Sequence, residues 1–175
     1  MSAKLPFTTG IFMSKHTEHS SFREKLIEHL FVGELLKISW SRDCLLQVAK
    51  PEVDNAGYDL IAEDCGVIRH IQIKASYVGA KTSTQKVHLH LAKKASGCVI
   101  WIFFDENTLE LKSFYFLGGG PGKPLPSIDH GKTAKHSKGD KTGHKAERPN
   151  FKVMNKGEFE LFESPKALYE KLFGG

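Results

Sequence analysis

The chain has 175 residues, 40% of them hydrophobic and 10% aromatic, and a formal net charge of +5. Such a composition is typical of one folded domain and excludes a disordered chain. It also excludes a membrane-spanning helix, because no apolar run approaches about 18 residues. The first twenty residues lack the apolar core of a secretion signal. We therefore expect a cytoplasmic protein without a membrane partner.

The positive charge is concentrated in one segment. Between Gly118 and Asn150, six lysines and one arginine stand against three carboxylates. This composition predicts a basic, Gly/Lys/His-rich loop over 118–150 that meets a polyanion. From charge alone, a solvated loop without a partner is an equal alternative.

The three cysteines, Cys44, Cys65 and Cys98, show no CxxC spacing and cannot all pair within one chain. The pattern favours free thiols in a reducing compartment over a disulfide or a zinc site. We expect all three to be reduced and mostly buried.

The N-terminal part of the sequence predicts an arm followed by a helix. Residues 1–19 show little periodicity and are expected to be flexible. Ser21 and Glu24 fit a capping box, which satisfies N–H groups of a first helical turn. Apolar residues then recur at helical spacing as far as Ser39.

Strands follow the helix. Tyr58–Glu63 and Val67–Ala75 predict a β-hairpin around a tight turn at 64–66. Cys98–Phe104 is a continuous apolar run, as in a strand buried on both faces. Residues 86–95 fit either a strand or a short helix, and we favour the helix. The other expected elements are strands at Cys44–Ala49, Leu109–Leu117, Phe151–Met154 and Glu158–Phe162, and a helix over 164–173 with Ser164 as N-cap and Pro165 in its first turn.

Three polar side chains of the hairpin are expected to meet. Side chains alternate along a strand, so Gln72 and Lys74 share one face while Ile71 and Ile73 take the other. If the turn has two residues, Asp59 lies opposite Gln72, with about 5 Å between the Cβ atoms. The sequence therefore predicts that Asp59, Gln72 and Lys74 converge, provided that no bulge shifts the register.

The predicted helix offers a fourth polar group. Glu34 falls in the middle of its apolar stripe, whereas Glu24 and Glu28 lie towards its polar side. A carboxylate on a buried stripe needs a partner. We expect that partner to be a metal ion or the Lys74 ammonium, with an arginine or solvent as the alternative.

These residues resemble the PD-(D/E)xK nuclease superfamily, which includes restriction endonucleases and archaeal Holliday junction resolvases. The matches are Glu34 in the first helix, the motif Gly57-Tyr58-Asp59-Leu60, and Gln72-Ile73-Lys74, within about residues 21–104. Gln72 departs from the pattern, since the family usually has Asp or Glu there. The resemblance implies a single α/β domain over 20–175 with a restriction-endonuclease-like three-layer core, a central mixed sheet flanked by helices.

The resemblance also implies an activity: hydrolysis of phosphodiester bonds in DNA with Mg²⁺ or Mn²⁺, in restriction or repair. Asp59 would be the main metal ligand, joined by the Gln72 side-chain carbonyl, the Ile73 backbone carbonyl and Glu34. One or two carboxylates suffice, because Mg²⁺ keeps several waters. Lys74 would orient or help deprotonate the attacking water. A homodimer would supply the two sites that double-strand cleavage usually needs.

Further residues are expected to contact DNA, or RNA. Ser76 follows Lys74 closely enough to reach a phosphate. Two other interpretations stay open: a nucleic-acid-binding module of the same fold without hydrolysis, which Gln72 favours, and a structural protein with an internal Lys74–Glu34 ion pair. The lysines expected to contact the nucleic-acid backbone are Lys81, Lys132, Lys135, Lys138, Lys141 and Lys145.

Overall fold

The computed structural model describes residues 18–53, 56–139 and 141–174. The predicted arm therefore lies almost entirely outside the described residues. Within them, no helix is long and apolar enough to cross a membrane. The elements in chain order are α1 (Ser20–Ser39), β1 (Gln47–Ala49), β2 (Leu60–Asp64), β3 (Val67–Tyr77), β4 (Thr84–His88), a 3₁₀ helix (Leu89–Lys93), β5 (Gly97–Phe104), β6 (Leu111–Gly118), β7 (Lys132–Lys135), β8 (Glu147–Asn155), a second 3₁₀ helix (Lys156–Glu158), β9 (Glu160–Phe162) and α2 (Pro165–Phe173).

The central sheet has six strands in the order β1-β2-β3-β5-β6-β9. β3 and β5 pair in parallel, and the other neighbours pair antiparallel, so the sheet is mixed. Every residue of β5 is buried, as the apolar run predicted. The predicted α/β class, with a central mixed sheet and flanking helices, is confirmed.

Different layers cover the two faces of this sheet. On one face, α1 and α2 pack through buried residues such as Phe31, Leu35 and Leu168. On the other face, Trp101 of β5 packs with Met154 and other residues of a small second sheet, which has the order β4-β8-β7. The chain therefore has three layers: helices, the central sheet and the small sheet.

The small sheet corrects the prediction of a long basic loop. Segment 118–150 contains β7 and the first residues of β8. Leu125, Ile128 and Ala134 anchor the segment, because all three are buried. Apolar residues this sparse among lysines give no period-2 signal, so the strands could not be recognised from the sequence.

Three helices predicted from local sequence patterns can be compared with the structure. α1 ends at Ser39 as predicted, but it begins after His19 with no side-chain cap, so the capping box at Ser21 is wrong. The helix favoured over 86–95 is also wrong, because β4 ends at His88 and only a 3₁₀ helix follows. The N-cap of α2 is confirmed: the Ser164 hydroxyl oxygen accepts a hydrogen bond from the Ala167 N–H at 3.1 Å.

A buried arginine fastens α2 to the central sheet. The Arg69 guanidinium donates to the carbonyl oxygens of Leu172 at 2.7 Å, Gly119 at 3.1 Å and Lys171 at 3.2 Å. Burial lowers its pKa. The last carbonyls of a helix carry partial negative charge, so they stabilise a cation there.

Two of the three cysteines form a disulfide, which corrects the prediction of free thiols. Cys44 follows α1 and Cys65 lies in the hairpin turn, with their Cα atoms 5.5 Å apart. Cys98 is free and buried, and burial raises the pKa of its thiol to about 12. Only the fold brings Cys44 to the turn, so sequence spacing could not reveal the pair.

The disulfide predicts how many cysteine thiols react with an alkylating reagent. Unfolded without reductant, the protein should react with one equivalent of iodoacetamide, at Cys98, and with three after reduction. Reduction should also lower the free energy of unfolding by about 3 kcal/mol, because the crosslink spans 21 residues. Mass spectrometry and urea unfolding measure the two effects. Three reactive thiols without reductant would contradict the pairing.

Candidate active site

A two-residue turn sets the register of the β2–β3 hairpin. Asp64 pairs with Val67, which leaves Cys65 and Gly66 as the turn residues. Their φ angles are 47° and 81°. Positive φ at both positions matches the twist of the flanking strands in a hairpin. The predicted register, without a bulge, is confirmed from Leu60 opposite Ile71 to Asp64 opposite Val67.

β3 extends beyond β2, and the site lies where the two strands part. The β2–β3 pairing ends at Leu60 and Ile71, whereas β3 continues to Tyr77. The Asp59 N–H donates to the Ile71 carbonyl at 2.8 Å, and its Oδ2 accepts from the Ile73 N–H at 2.6 Å. The Asp59 carboxylate thus provides the acceptor that a continued β2–β3 pairing would have offered to the Ile73 N–H. The Ile73 carbonyl points to the same edge, because the N–H and C=O of one strand residue share a side.

Asp59, Gln72 and Lys74 line one cavity of about 670 Å³ between β3 and the small sheet. A second cavity of about 550 Å³ lies between β3 and the start of α1. Asp59, Lys74 and Gln85 line both cavities. The structure therefore brings the three hairpin residues that the register predicted to the first cavity, and two of them, Asp59 and Lys74, also line the second.

Gln72 also connects the two sheets. The residue is 5% exposed, and its Oε1 accepts a hydrogen bond of 3.4 Å from the His88 backbone N–H of β4. An amide oxygen has two lone pairs, so this bond leaves one acceptor position. The residue can both hold β4 against β3 and offer oxygen to a ligand.

Glu34 does not join the site, so its prediction is wrong. Its Oε1 lies 3.8 Å from the Lys37 Nζ on the same helix, and its side chain is 40% exposed. The internal Lys74–Glu34 ion pair is wrong for the same reason. A helical wheel that includes Leu30 in the apolar stripe places Glu34 at the centre of that stripe. In the structure Leu30 is exposed, and the buried stripe runs through Ile27, Phe31 and Leu35.

Two other helix carboxylates, Glu24 and Glu28, line the second cavity. Glu28 is buried and hydrogen-bonds to Lys50 and, at 3.0 Å, to Lys25. Burial opposes its ionisation, but the hydrogen bonds from the two lysines outweigh that cost and lower its pKa. Glu24 is largely exposed. Their spacing of four residues, which places both on one helix face, was the available signal.

The other predicted contact residues lie outside the cavities. Ser76 is buried, and its Oγ accepts from the Trp101 indole N–H at 2.9 Å, so a phosphate contact is wrong for it. Lys81 is exposed in the connection between β3 and β4. Neither cavity is lined by the five predicted lysines of segment 118–150, which are all exposed: Lys132, Lys135, Lys138, Lys141 and Lys145.

The small sheet contributes residues that sequence reasoning missed. Lys86, His88, Arg148 and Phe151 line the first cavity. The Arg148 guanidinium carbon lies 3.9 Å from the centroid of the Phe151 ring, and the His88 ring meets the same ring edge-on at 4.6 Å. Lys86, His88 and Arg148 lie in segments predicted as helix or loop, where strand alternation gives no prediction, and Phe151 is the first residue of a predicted strand.

The two cavities differ in charge. Among the described residues that line the two cavities, Lys74, Lys86 and Arg148 face the first cavity, and Asp59 is the one carboxylate there. The second has two lining lysines, Lys25 and Lys74, against the carboxylates of Glu24, Glu28 and Asp59. By Coulomb attraction, the first cavity suits an anion and the second a cation.

Oxygen donors line the two adjoining cavities. The Asp59 carboxylate, the Gln72 side-chain carbonyl and the Ile73 backbone carbonyl are ligands of the kind that Mg²⁺ and Mn²⁺ prefer, with Glu24 nearby in the second cavity. The donor set fits such an ion. Of the described residues lining these cavities, none is a cysteine or a methionine.

A substitution at Gly57 tests how closely the chain just before Asp59 approaches the small sheet. Its φ is +81°, and an added Cβ would lie 2.7 Å from the His88 Cβ. Gly57→Ala should therefore lose about 1 kcal/mol to backbone strain and about 1–3 kcal/mol more to overpacking. Gly79→Ala is the matched control, because its φ is +89° but its Cβ would meet nothing within 4 Å. Equal losses for both variants in urea unfolding would contradict the close approach.

Glu28 should make stability depend on pH. Its pKa is lowered in the folded state, so its contribution is complete above the ordinary glutamate pKa of 4.5 and is lost as the pH falls through the folded pKa. Wild type should therefore exceed Glu28→Gln in unfolding free energy at pH 6, and the difference should shrink towards pH 3. Urea unfolding over this range, with exposed Glu163→Gln as control, measures it. A constant difference would show that the carboxylate charge is not involved.

No protein-family model and no curated protein matches the chain. Among solved structures, the chain is similar to the bacterial homing endonuclease I-Ssp6803I, with 19% identity and a TM-score of 0.38. The similarity covers 71% of this chain and 85% of that chain. A likeness of this extent leaves the case for function to the geometry of this chain's own residues.

Proposed function

We propose that the chain is a metal-dependent nuclease of the PD-(D/E)xK type, with a Q-x-K form of the motif, that hydrolyses phosphodiester bonds in DNA. One observation carries the proposal: Asp59, Gln72 and Lys74 line the same cavity at the edge of β3. Phosphodiester hydrolysis needs a positioned water and a cationic group near the developing charge, and this trio offers oxygen ligands beside an ammonium.

The metal ion of this proposal is Mg²⁺ or Mn²⁺. Asp59 would hold it through its carboxylate, with Gln72 and Ile73 adding carbonyl oxygens. Glu24 takes over the helix-acid role first expected of Glu34, because it lines the adjoining cavity. Glu28 fits that role less well, since it is already hydrogen-bonded to two lysines. A divalent ion so bound would supply Lewis-acid stabilisation and lower the pKa of a bound water.

Lys74 supplies the cationic group of the proposal. Its side chain lines both cavities, so its Nζ can reach a water held between the Asp59 carboxylate and a phosphate. As an ammonium, it donates hydrogen bonds that orient this water and stabilise the negative charge on the phosphoryl oxygens in the transition state. The hydrogen bond from the Ile73 N–H holds the Asp59 carboxylate in position.

A second candidate is a nucleic-acid-binding module of the same fold that does not hydrolyse its ligand. The hydrogen bond from the His88 N–H to Gln72 favours it, because that bond gives Gln72 a structural role. Gln72 also brings no charge to a metal site, which weakens the attraction for a divalent ion. Isothermal calorimetry with Mn²⁺ separates the two candidates. Only the nuclease should bind the ion, and its Asp59→Ala variant should lose the binding signal.

The proposed setting is restriction or repair of DNA in the cytoplasm, with RNA as the alternative substrate. A homodimer would give two sites for double-strand cleavage. Structural disulfides are rare in a reducing compartment. The Cys44–Cys65 disulfide therefore argues against a reducing compartment. Whether the two cysteines are oxidised or reduced in protein taken directly from cells tests the cytoplasmic setting.

Plasmid cleavage tests the nuclease. Supercoiled DNA should be nicked or linearised with Mg²⁺ or Mn²⁺, and Asp59→Ala and Lys74→Ala should each lower the rate by about 100-fold or more. Glu24→Gln should lower it less, through weaker metal binding, and the matched control Glu34→Gln should cleave like wild type. Gel electrophoresis over time measures all four. Cleavage by Asp59→Ala at the wild-type rate would sink the proposal.

A further inference from the structure

The face of the small sheet that borders the first cavity carries a row of cations. Lys86 of β4 and Lys132 of β7 each pair with Val153 of the middle strand β8. Directly opposed residues share a face of a sheet. Val153 and Lys86 line the cavity, so Lys132 lies on that same face. The other face is turned to the core, where Met154 is buried.

Two interactions hold cations of this row in place. The Lys86 Nζ donates to the Lys135 backbone carbonyl at 2.9 Å, which uses one of its three donors. Arg148 lies over the Phe151 ring, and such a cation–π interaction engages the guanidinium face and not its N–H groups. Both side chains are therefore positioned while keeping donors for an anion.

The row extends across the small sheet. Lys86 and Lys132 are two strands apart in the sheet, which is about 10 Å. One strand of duplex DNA carries a phosphate every 3.4 Å or so along the helix axis. A strand laid across this span therefore brings several phosphates past the row, and Lys86, Arg148 and Lys74 line the cavity between this face and Asp59.

We propose that Lys86, Lys132 and Arg148 form a docking face for the phosphate backbone of a polynucleotide, which leads one strand to Lys74. This inference rests on the proposed function and assigns its substrate-binding residues to an ordered sheet. It also separates the docking face from Lys138, Lys141 and Lys145, which lie in the exposed connection between β7 and β8 and line neither cavity.

Salt-dependent binding tests the docking face with a matched control. A fluorescein-labelled 20-base-pair duplex is titrated in EDTA, and anisotropy gives the dissociation constant at several salt concentrations. The docking variant is Lys86→Gln/Lys132→Gln/Arg148→Gln, and the control, with the same change of charge, is Lys138→Gln/Lys141→Gln/Lys145→Gln. The slope of log K against log salt should fall by about 2.7 in the docking variant, at roughly 0.9 for each phosphate that is no longer neutralised. In the control it should fall by less than about 1.

Equal falls in the two triple variants would overturn the docking face, because they would show attraction by net charge alone. An unchanged slope in the docking variant would also overturn it. Thermal unfolding of both variants checks that they fold, and the single variants Lys132→Gln and Arg148→Gln repeat the test if the triple one does not. A single-stranded 20-mer shows which form is held, with a smaller fall of about 0.7 for each phosphate.

The binding assay and the cleavage assay fail independently. Because EDTA removes divalent ions, binding is measured without hydrolysis. A docking-face effect without plasmid cleavage would overturn the nuclease and leave the docking face standing. Plasmid cleavage with an unchanged KM in the docking variant would overturn the docking face and leave the nuclease standing.

Discussion

The turn at Cys65 and Gly66 constrains the three hairpin side chains of the site, Asp59, Gln72 and Lys74. Side chains alternate along a strand, so a shift of one residue would turn Gln72 and Lys74 towards the helices. The same shift would expose Leu60 and Ile71, and each apolar side chain moved from the core to water costs about 1.5–3 kcal/mol. The register is therefore fixed by burial on one face of the hairpin, and the site on the other face follows from it.

Two further interactions restrain the same turn. The Cys44–Cys65 disulfide joins it to the chain that leaves α1. Next to it, the buried Asp64 carboxylate lies 3.4 Å from the Nε of Arg42. A buried ion pair costs desolvation and is weak evidence for stability, but it penalises alternative arrangements that would separate the charges. The covalent and ionic links together resist fraying at the end of the hairpin remote from Asp59.

The sequence was most informative where local pattern and tertiary structure agree. Alternation in the hairpin and the apolar run of β5 depend on neighbours close in sequence, so both were predictable together with the meeting of Asp59, Gln72 and Lys74. The buried face of α1 was not, because the final packing leaves Leu30 exposed and moves the stripe away from Glu34. The strands within 118–150 were missed because their lysines face solvent and few apolar residues mark the buried side.

The open edge of β3 has a consequence for solubility. A strand edge with unpaired N–H and C=O groups is a template for pairing with another chain, and proteins block such edges with charge. Here the Asp59 carboxylate occupies the Ile73 N–H, and Lys74 stands beside it. An intruding strand would have to displace a carboxylate and desolvate an ammonium. The groups that we propose for catalysis thus also guard the sheet against aggregation, so loss of Asp59 would remove this protection together with the proposed reaction.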